Sequence, residues 1–147
     1  MQKAELALTT LIAAAVATLL FVSVSPAGSD FKTIDTIHLH SLVVDNAYSL
    51  ESGQPARHVI VDARTKENYE ESHIVSAVTI PETDFETSPA LLPREKGELL
   101  VVYCSDAKAE TSRKWAGRAA AAGYTNIAIY TDGFTVWKKN KMPTVPL

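Results

Sequence analysis

The chain of 147 residues contains a single cysteine, Cys104. One cysteine cannot form a disulfide within the chain, so no internal disulfide stabilises the fold. The sequence also has no excess of positive charge, because it contains 14 lysines and arginines but 17 aspartates and glutamates. Nucleic-acid-binding domains present a basic face, so we expect no nucleic-acid partner. The one thiol is therefore either buried and inert or placed for a chemical purpose.

Charged residues are absent between Glu5 and Asp30. Within this stretch, residues 6–24 form an almost continuous apolar run, and a helix needs roughly 20 such residues to cross a bilayer. No polar face interrupts the run, which argues against a buried helix of a soluble core. The run is longer than the apolar part of a signal peptide, about 7 to 15 residues, which favours an uncleaved membrane anchor.

A cleaved signal peptide fits the same segment. Lys3 precedes the apolar run, and Ser25-Pro26-Ala27 follows it with a small-residue cleavage pattern. We interpret residues 1–29 as a signal peptide or membrane anchor, and residues 30–147 as one domain. Both interpretations place this domain outside the cytoplasm, in the periplasm or anchored facing outward. If the segment is not cleaved, we expect the membrane as a partner through the N-terminal helix.

The rest of the chain alternates between strand-like and helix-like segments. Strands are predicted at residues 36–39, 58–63, 77–80, 99–103 and 126–130, and helices at residues 41–49, 66–71 and 112–121. Residues 83–92 are irregular or weakly helical, and Gly123 is expected to end the third helix in the left-handed conformation. This alternation predicts an α/β domain with a mostly parallel central sheet flanked by helices on both faces, preceded by the N-terminal hydrophobic helix.

Cys104 directly follows the apolar strand at residues 99–103 and precedes the helix at residues 112–121. In parallel sheets, ligands bind beyond the carboxyl ends of the strands. A loop that leads into a helix also presents unpaired backbone N–H groups at the positive end of the helix dipole. A thiol at that position is easier to ionise, and the thiolate is the reactive form. The position of Cys104 therefore indicates sulfur chemistry rather than packing.

Several short motifs occur in a fixed order along residues 59–143. They are Asp62-Ala63-Arg64 at a strand end, Tyr69 followed by residues 72–81, Val102-Tyr103-Cys104, residues 122–127, and residues 132–137. In order and spacing, these motifs resemble the rhodanese-like domain family, and the resemblance covers essentially the whole domain. The family is one of sulfurtransferases with the α/β fold predicted above.

The resemblance implies that Cys104 is the catalytic nucleophile. In rhodaneses, the cysteine takes a sulfur atom from a donor, forms a persulfide and passes the outer sulfur to an acceptor. The implied partners are a small sulfur donor or an acceptor thiol protein, and no cofactor is implied. The residues expected to bind the substrate are Ser105, Asp106, Ala107, Lys108, Ala109, Glu110, Thr111 and Ser112. Asp62 and Arg64 are expected to support the site by pairing at the strand end.

The loop after Cys104 departs from the family pattern. It is two residues longer than the usual form, Ala107 lies near the position of the loop glycine, and Thr111 lies where an arginine is expected. That arginine would hold an anionic substrate through paired hydrogen bonds. Asp106 and Glu110 add negative charge, and Lys108 is the only cation inside the loop. A neutral or protein-bound sulfur donor therefore fits better than thiosulfate.

Two other functions remain open. One is a rhodanese fold kept as a non-catalytic binding module at the membrane surface, which the missing arginine and the acidic loop favour. The other is a phosphatase or arsenate reductase. Those enzymes close their loop with an arginine that holds the oxyanion, but here the first arginine after Cys104 is Arg113, inside the predicted helix.

The remaining notable side chains favour structural roles. Thr111 and Ser112 are expected to cap the following helix, and Trp115 and Trp137 to anchor their helices in the core. His38 and His40 would face the same side of the strand predicted at residues 36–39. We discount a metal site there. The lysines near the C-terminus, Lys138, Lys139 and Lys141, are interpreted as a solvated face rather than a lipid-binding one.

Overall fold

The computed structural model describes residues 30–105 and 110–146. In chain order the elements are β1 (Lys32–Ile34), α1 (Thr36–Glu51), β2 (Val59–Asp62), α2 (Lys66–Glu71), β3 (His73–Ile74), β4 (Ala77–Thr79), β5 (Leu100–Tyr103), α3 (Glu110–Ala121), β6 (Ile127–Tyr130), α4 (Gly133–Lys139) and β7 (Thr144–Val145). Two 3-10 helices, Glu82–Thr87 and Pro89–Leu91, occupy the region predicted to be irregular or weakly helical.

Five of the strands form one parallel sheet in the order β1-β6-β5-β2-β4. The sheet is central because helices cover both of its faces: α3 packs on one face, and α1 and α4 pack on the other. The predicted fold class is therefore confirmed. Strands β5 and β6 are buried along their whole length. This burial on both faces explains why these segments read as continuous apolar runs rather than as alternating ones.

Side chains alternate between two hydrophobic clusters across the sheet. Val102 points into the cluster beneath α3, whereas Val101 and Tyr103 point into the cluster beneath α1 and α4. Trp115 anchors the first cluster and Trp137 the second, and both are fully buried, as predicted. A fully buried aliphatic side chain such as Val101 stabilises the fold by about 1.5–3 kcal/mol relative to an exposed one.

The prediction of a strand at residues 36–39 is wrong. These residues form the first turn of α1, because the Asp35 carboxylate accepts a hydrogen bond from the His38 backbone N–H (2.9 Å) and caps the helix. His38 and His40 consequently lie about 200° apart around the helix axis and do not share a face. The first strand lies earlier, at Lys32–Ile34, and pairs with β6 at the edge of the sheet.

The helix after Cys104 begins earlier than predicted. It spans Glu110–Ala121, so Thr111 and Ser112 lie within its first turn and the expectation that they cap it is wrong. Ser112 is fully buried. Gly123 ends the helix with φ +94°, the left-handed conformation that was predicted for it.

The segment at residues 1–29, with its predicted signal peptide or anchor helix, lies outside the described residues. Among residues 30–105 and 110–146, no helix has the length and apolarity that crossing a membrane would need.

Candidate active site

Asp62 and Arg64 form a buried ion pair where β2 ends. Arg64 Nη2 donates to Asp62 Oδ2 (2.6 Å), and Arg64 Nε donates to Oδ1 and Oδ2 (3.0 and 3.1 Å). The Arg64 backbone N–H adds a further hydrogen bond to Oδ1 (3.0 Å). Burial is the largest single influence and lowers the pKa of Arg64, but the hydrogen bond and the charge of Asp62, together with Tyr103, outweigh it and hold this pKa above its ordinary value. The pairing expected from the sequence is therefore present.

Tyr103 extends this pair into a network that joins three strands. Its hydroxyl donates to Asp62 Oδ2 (2.7 Å) and accepts from the Ile74 backbone N–H (3.2 Å). Arg64 Nη2 also donates to the Ser72 carbonyl oxygen (2.7 Å). Burial raises the pKa of Tyr103, and the nearby Asp62 charge raises it further. The ends of β2 and β5 are thereby fixed to each other and to β3.

Cys104 follows β5, the middle strand of the sheet, at the carboxyl edge. Its side chain is 7% exposed and belongs to the hydrophobic cluster that includes Ala63 and Trp115. The exposed surface of this residue is therefore small, and its side chain contributes to the core. The strands on either side of β5 end at the same edge, because all of them run parallel.

The beginning of α4 holds the backbone at Cys104 in place. The Phe134 N–H donates to the Cys104 carbonyl oxygen (2.9 Å). The Thr135 N–H and Oγ1 both donate to the Ser105 carbonyl oxygen (3.0 and 2.7 Å). The position of the cysteine thus depends on α4, which lies thirty residues later in the chain and was not linked to the site in the sequence analysis.

The predicted substrate-binding segment is only partly described. Asp106, Ala107, Lys108 and Ala109 lie outside the described residues. Of the others, Ser105, Glu110 and Thr111 are exposed and Ser112 is buried. The backbone amides expected to surround the sulfur therefore stay a prediction.

Glu110 has a cationic partner that the loop sequence does not contain. Lys114, one turn later in α3, places its Nζ 2.9 Å from Glu110 Oε1. The hydrogen bond from Lys114 is the main reason that the pKa of Glu110 is lowered. Part of the negative charge expected beside Cys104 is therefore balanced from within the helix. The (i, i+4) spacing in the sequence was the signal that could have revealed this pair.

A cleft of about 450 Å³ opens between α2 and α4 next to Arg64. We call it the α2–α4 cleft. Lys138 and Lys139 line it from α4, and Phe134 lies beneath the Arg64 guanidinium, with 3.9 Å between the guanidinium carbon and the ring centroid. Two of the three lysines interpreted as a solvated face, Lys138 and Lys139, thus border a concave site.

Within the described residues, no group of three or more histidine, cysteine, aspartate or glutamate side chains could hold a metal ion. At the carboxyl edge of the sheet, the described polar groups include the Asp62–Arg64 ion pair, the Tyr103 hydroxyl and the backbone N–H groups of Phe134 and Thr135. Together with the parallel sheet, this arrangement defines an α/β domain with a cysteine at the carboxyl edge.

A family model described as rhodanese-like domain matches residues 46–140. The chain therefore belongs to the rhodanese-like domain family, as the order of its motifs indicated. A search of the curated proteins finds no match to it.

Solved structures agree with this assignment. The X-ray structure of the rhodanese-like domain of the Alr3790 protein from Anabaena sp. is 26% identical, covers 67% of this chain and 96% of its own, and has a TM-score of 0.54. Another crystal structure of the Alr3790 protein is 25% identical and covers 78% of this chain and 82% of its own, with a TM-score of 0.59. The BH2092 protein from Bacillus halodurans shares the fold at 22% identity, with 77% of this chain and 75% of its own covered and a TM-score of 0.57.

Proposed function

We propose that this protein is a sulfurtransferase or persulfide carrier that works through Cys104. The main support for this proposal is the position of the chain's only cysteine in the fold. Cys104 directly follows the middle strand of a rhodanese-type sheet, at the edge where parallel α/β domains bind their ligands. The backbone of Cys104 and Ser105 is held there by hydrogen bonds from Phe134 and Thr135.

The proposed reaction has two steps and needs no cofactor. In the first, the Cys104 thiolate attacks the outer sulfur of a donor R–S–SH; an Sγ–S bond forms, the donor's S–S bond breaks, and R–S⁻ leaves with the bonding electrons. In the second, an acceptor thiolate attacks the outer sulfur of the persulfide, and Cys104 leaves as a thiolate. A neutral or protein-bound donor suits the acidic loop better than the thiosulfate dianion.

The test is to incubate the purified protein with a polysulfide, an organic persulfide or thiosulfate and measure its intact mass. We expect a gain of one sulfur atom from the first two donors, less from thiosulfate, and reversal by a thiol. Cys104→Ser should gain none, whereas Ser41→Ala, which changes an exposed serine of α1 outside the site, should still gain one. No gain with any donor, or a gain that survives Cys104→Ser, contradicts the proposal.

A second candidate is a non-catalytic binding module at the membrane surface. The burial of Cys104 in a hydrophobic cluster favours it, as does Thr111 in place of the family's arginine. This alternative predicts that Cys104→Ser restores the phenotype of a deletion strain as well as the unchanged gene does. A sulfurtransferase predicts that it does not.

We also propose that the domain acts outside the cytoplasm. The proposal is supported by the uncharged apolar run at residues 6–24 with Lys3 ahead of it. Protease added to intact spheroplasts should then digest the domain, and N-terminal sequencing of the mature protein should distinguish cleavage near Ala27 from an intact anchor. A domain protected until the cells are lysed would contradict export.

A further inference from the structure

Helix α1 carries an aligned set of exposed apolar side chains. Four of the six large apolar side chains that are exposed among the described residues belong to this one helix. Ile37, Val44 and Tyr48 are 75%, 51% and 69% exposed. Their spacing of seven and four residues places them on one side of the helix, whereas Leu39 and Val43 pack against the sheet. Apolar side chains concentrated on one surface indicate an interaction site, unlike those that are scattered singly.

Helix α4 lies beside α1 on the same face of the sheet. Thr36 Oγ1, at the start of α1, donates to Oδ2 of Asp132, directly before α4 (2.9 Å). Further along the two helices, the rings of His40 and Trp137 lie 6.3 Å apart between their centroids. The outer sides of α1 and α4 therefore face the same direction, away from the sheet.

Three lysines extend the exposed surface of α1 at the end of α4. Lys138, Lys139 and Lys141 are all exposed. We call the surface formed by Ile37, Val44, Tyr48 and these three lysines the α1–α4 face. It combines apolar side chains on one helix with positive charge on the neighbouring one.

The sequence keeps this face close to the apolar run at residues 6–24. Only residues 25–31 separate the run from β1, and these seven residues span at most about 25 Å. Helix α1 begins directly after Asp35 and, with 16 residues, is about 24 Å long. A run that sits in a bilayer therefore holds the α1–α4 face within reach of the membrane surface. We propose that this face docks on a bilayer that contains anionic phospholipid.

The residue types of the face suit the boundary between lipid and water. Tyrosine is enriched at the level of the head groups, and lysine can lay its apolar stem along the acyl chains while its charge stays in water. Binding at such a surface grows with the apolar area that is buried and with the attraction to anionic lipids. Ile37, Val44 and Tyr48 supply the first contribution, and the lysines of α4 supply the second.

Acidic residues also lie on this side of the domain, at Asp35, Asp45, Glu51 and Asp132. Asp35 and Asp45 each lie beside a histidine, with separations of 2.7 and 3.8 Å between ring nitrogen and carboxylate oxygen, and Asp132 accepts the hydrogen bond from Thr36. The positive charge is therefore concentrated at the end of α4 rather than spread over the face. Apolar contact through α1 is the larger contribution, and the lysines favour anionic over neutral lipid.

A second copy of the chain fits the face less well than a bilayer does. A stable protein interface buries about 800 Å² on each partner. An aromatic side chain buries only about 150–250 Å², so Ile37, Val44 and Tyr48 together fall short of that area. A bilayer needs no complementary shape, and the short connection at residues 25–31 supplies the proximity that a second copy lacks.

Docking through α1 determines which side of the domain faces water. Cys104 belongs to the hydrophobic cluster beneath α3, on the opposite face of the sheet from α1 and α4. The docked domain therefore turns α3 and this cluster away from the lipid. The inference goes beyond the proposed function, because it holds whether or not Cys104 transfers sulfur.

The first experiment locates the surface that touches lipid. The full-length chain is placed in nanodiscs of phosphatidylcholine and phosphatidylglycerol that contain a lipid with a gadolinium chelate on its head group, and paramagnetic broadening of the backbone N–H signals is measured by NMR. We expect strong broadening at Val44 and Asp45, and little at Arg113 and Lys114, which are exposed on α3. Equal broadening on the two sides overturns the inference.

Two double variants test the apolar contact. Ile37→Ser/Tyr48→Ser should abolish the difference in broadening between α1 and α3. Leu91→Ser/Val145→Ser removes two exposed apolar side chains elsewhere, 45% and 41% exposed, and should preserve that difference. The same result in both variants contradicts docking through α1. Self-association in sedimentation experiments that only Ile37→Ser/Tyr48→Ser abolishes would assign the face to a second copy and would also overturn the inference.

The second experiment tests the lysines. In nanodiscs with phosphatidylglycerol, Lys138→Gln/Lys139→Gln should lower the ratio of docked to free domain roughly tenfold, the scale of two basic residues near an anionic surface. Arg94→Gln/Lys96→Gln, which removes the same charge from exposed residues ahead of β5, should leave the ratio unchanged. In phosphatidylcholine alone, both variants should match the unchanged protein. A ratio that does not depend on anionic lipid overturns the inference.

The outcome is independent of the other proposals. If residues 1–29 are absent from the mature protein, that mature chain is mixed with vesicles of the same two compositions, and sedimentation of the same variants gives the comparison; no binding to either vesicle overturns the inference. A domain that does not dock but gains sulfur at Cys104 leaves the proposed function standing. A domain that docks but gains no sulfur leaves the inference standing and contradicts the proposed function.

Discussion

At the scale of single residues, Tyr103 joins three strands of the site through its hydroxyl. It contacts a carboxylate on β2 and a backbone N–H on β3 from its own place on β5. Both contacts are buried, so removal of the hydroxyl leaves the Ile74 N–H without its acceptor. Nothing in the local sequence revealed this role, because Tyr103 is separated by 41 residues from Asp62 and by 29 from Ile74.

We expect Tyr103→Phe to lower the free energy of unfolding at pH 7 by about 1–3 kcal/mol, the cost of an unsatisfied buried polar group. The pH dependence has a definite sign. Since folding raises the pKa of Tyr103, its contribution is fully present below the unfolded value of about 10 and declines at higher pH. The difference in stability between the unchanged protein and Tyr103→Phe should therefore shrink between about pH 9 and pH 11.

Denaturant titrations at several pH values measure this difference. Tyr48→Phe is the matched control, because Tyr48 is 69% exposed and its hydroxyl makes no hydrogen bond to the described residues. Its stability should follow that of the unchanged protein at every pH. A difference for Tyr103→Phe that stays constant up to pH 11 would show that the buried hydroxyl does not resist ionisation.

Ser112 is a residue whose stability role and proposed binding role can be separated. Its Oγ is buried and has no hydrogen-bond partner among the described residues. Ser112→Ala should leave the free energy of unfolding unchanged or raise it by up to about 1 kcal/mol, since alanine is the better helix former. If Ser112 contacts the substrate, as expected from the sequence, the rate of sulfur transfer falls while stability does not. A large loss of stability would indicate instead that the hydroxyl is structurally required.

At the scale of elements, the long apolar segments could be predicted and the short ones could not. The runs at β2, β5 and β6 are rich in β-branched residues and are buried, so composition alone indicated strands. The predicted strand at residues 36–39 failed because a four-residue alternation fits either type of element, and the Asp35 cap decided in favour of a helix. Strands β3 and β7 have two residues each and leave no periodic signal.

Gly117 inside α3 and Gly123 just after its end offer a matched test of backbone conformation. Gly123 has φ +94°, whereas Gly117 lies inside the helix, and an added Cβ would meet open space at both positions. Gly123→Ala should lower the free energy of unfolding by about 1–2 kcal/mol, because only the left-handed backbone opposes it. Gly117→Ala should raise it by roughly 0.5–1 kcal/mol.

Thermal and denaturant unfolding of the two variants measures these changes against each other. The same methyl group is added in both cases, so opposite signs can come only from the backbone. Equal effects would contradict the assignment of Gly123 as the residue that ends the helix.

At the scale of the whole molecule, the sequence indicated the position of Cys104 in the sheet but not its surroundings. The rule that ligands bind at the carboxyl edge of a parallel sheet placed Cys104 correctly relative to β5, and the Asp62–Arg64 pair is close enough in sequence to be expected. The α2–α4 cleft could not be foreseen, because its walls come from segments that are about 70 residues apart. Long-range hydrogen bonds, such as that from Phe134 to Cys104, depend on strand order rather than on local pattern.

The C-terminal segment supports the network of Asp62, Arg64 and Tyr103 through its pairing with β3. Strand β7 pairs with β3, and the buried Trp137 donates its Nε1–H to the Pro143 carbonyl oxygen (2.9 Å). A chain that ends at Met142 loses both, so we expect its free energy of unfolding to fall by about 2–4 kcal/mol, of which the unpaired indole N–H accounts for about 1–3. A chain that ends at Val145 keeps both contacts and should unfold like the full protein. If the two truncated chains were equally stable, the C-terminal strand would contribute nothing, and the network would depend on β2 and β5 alone.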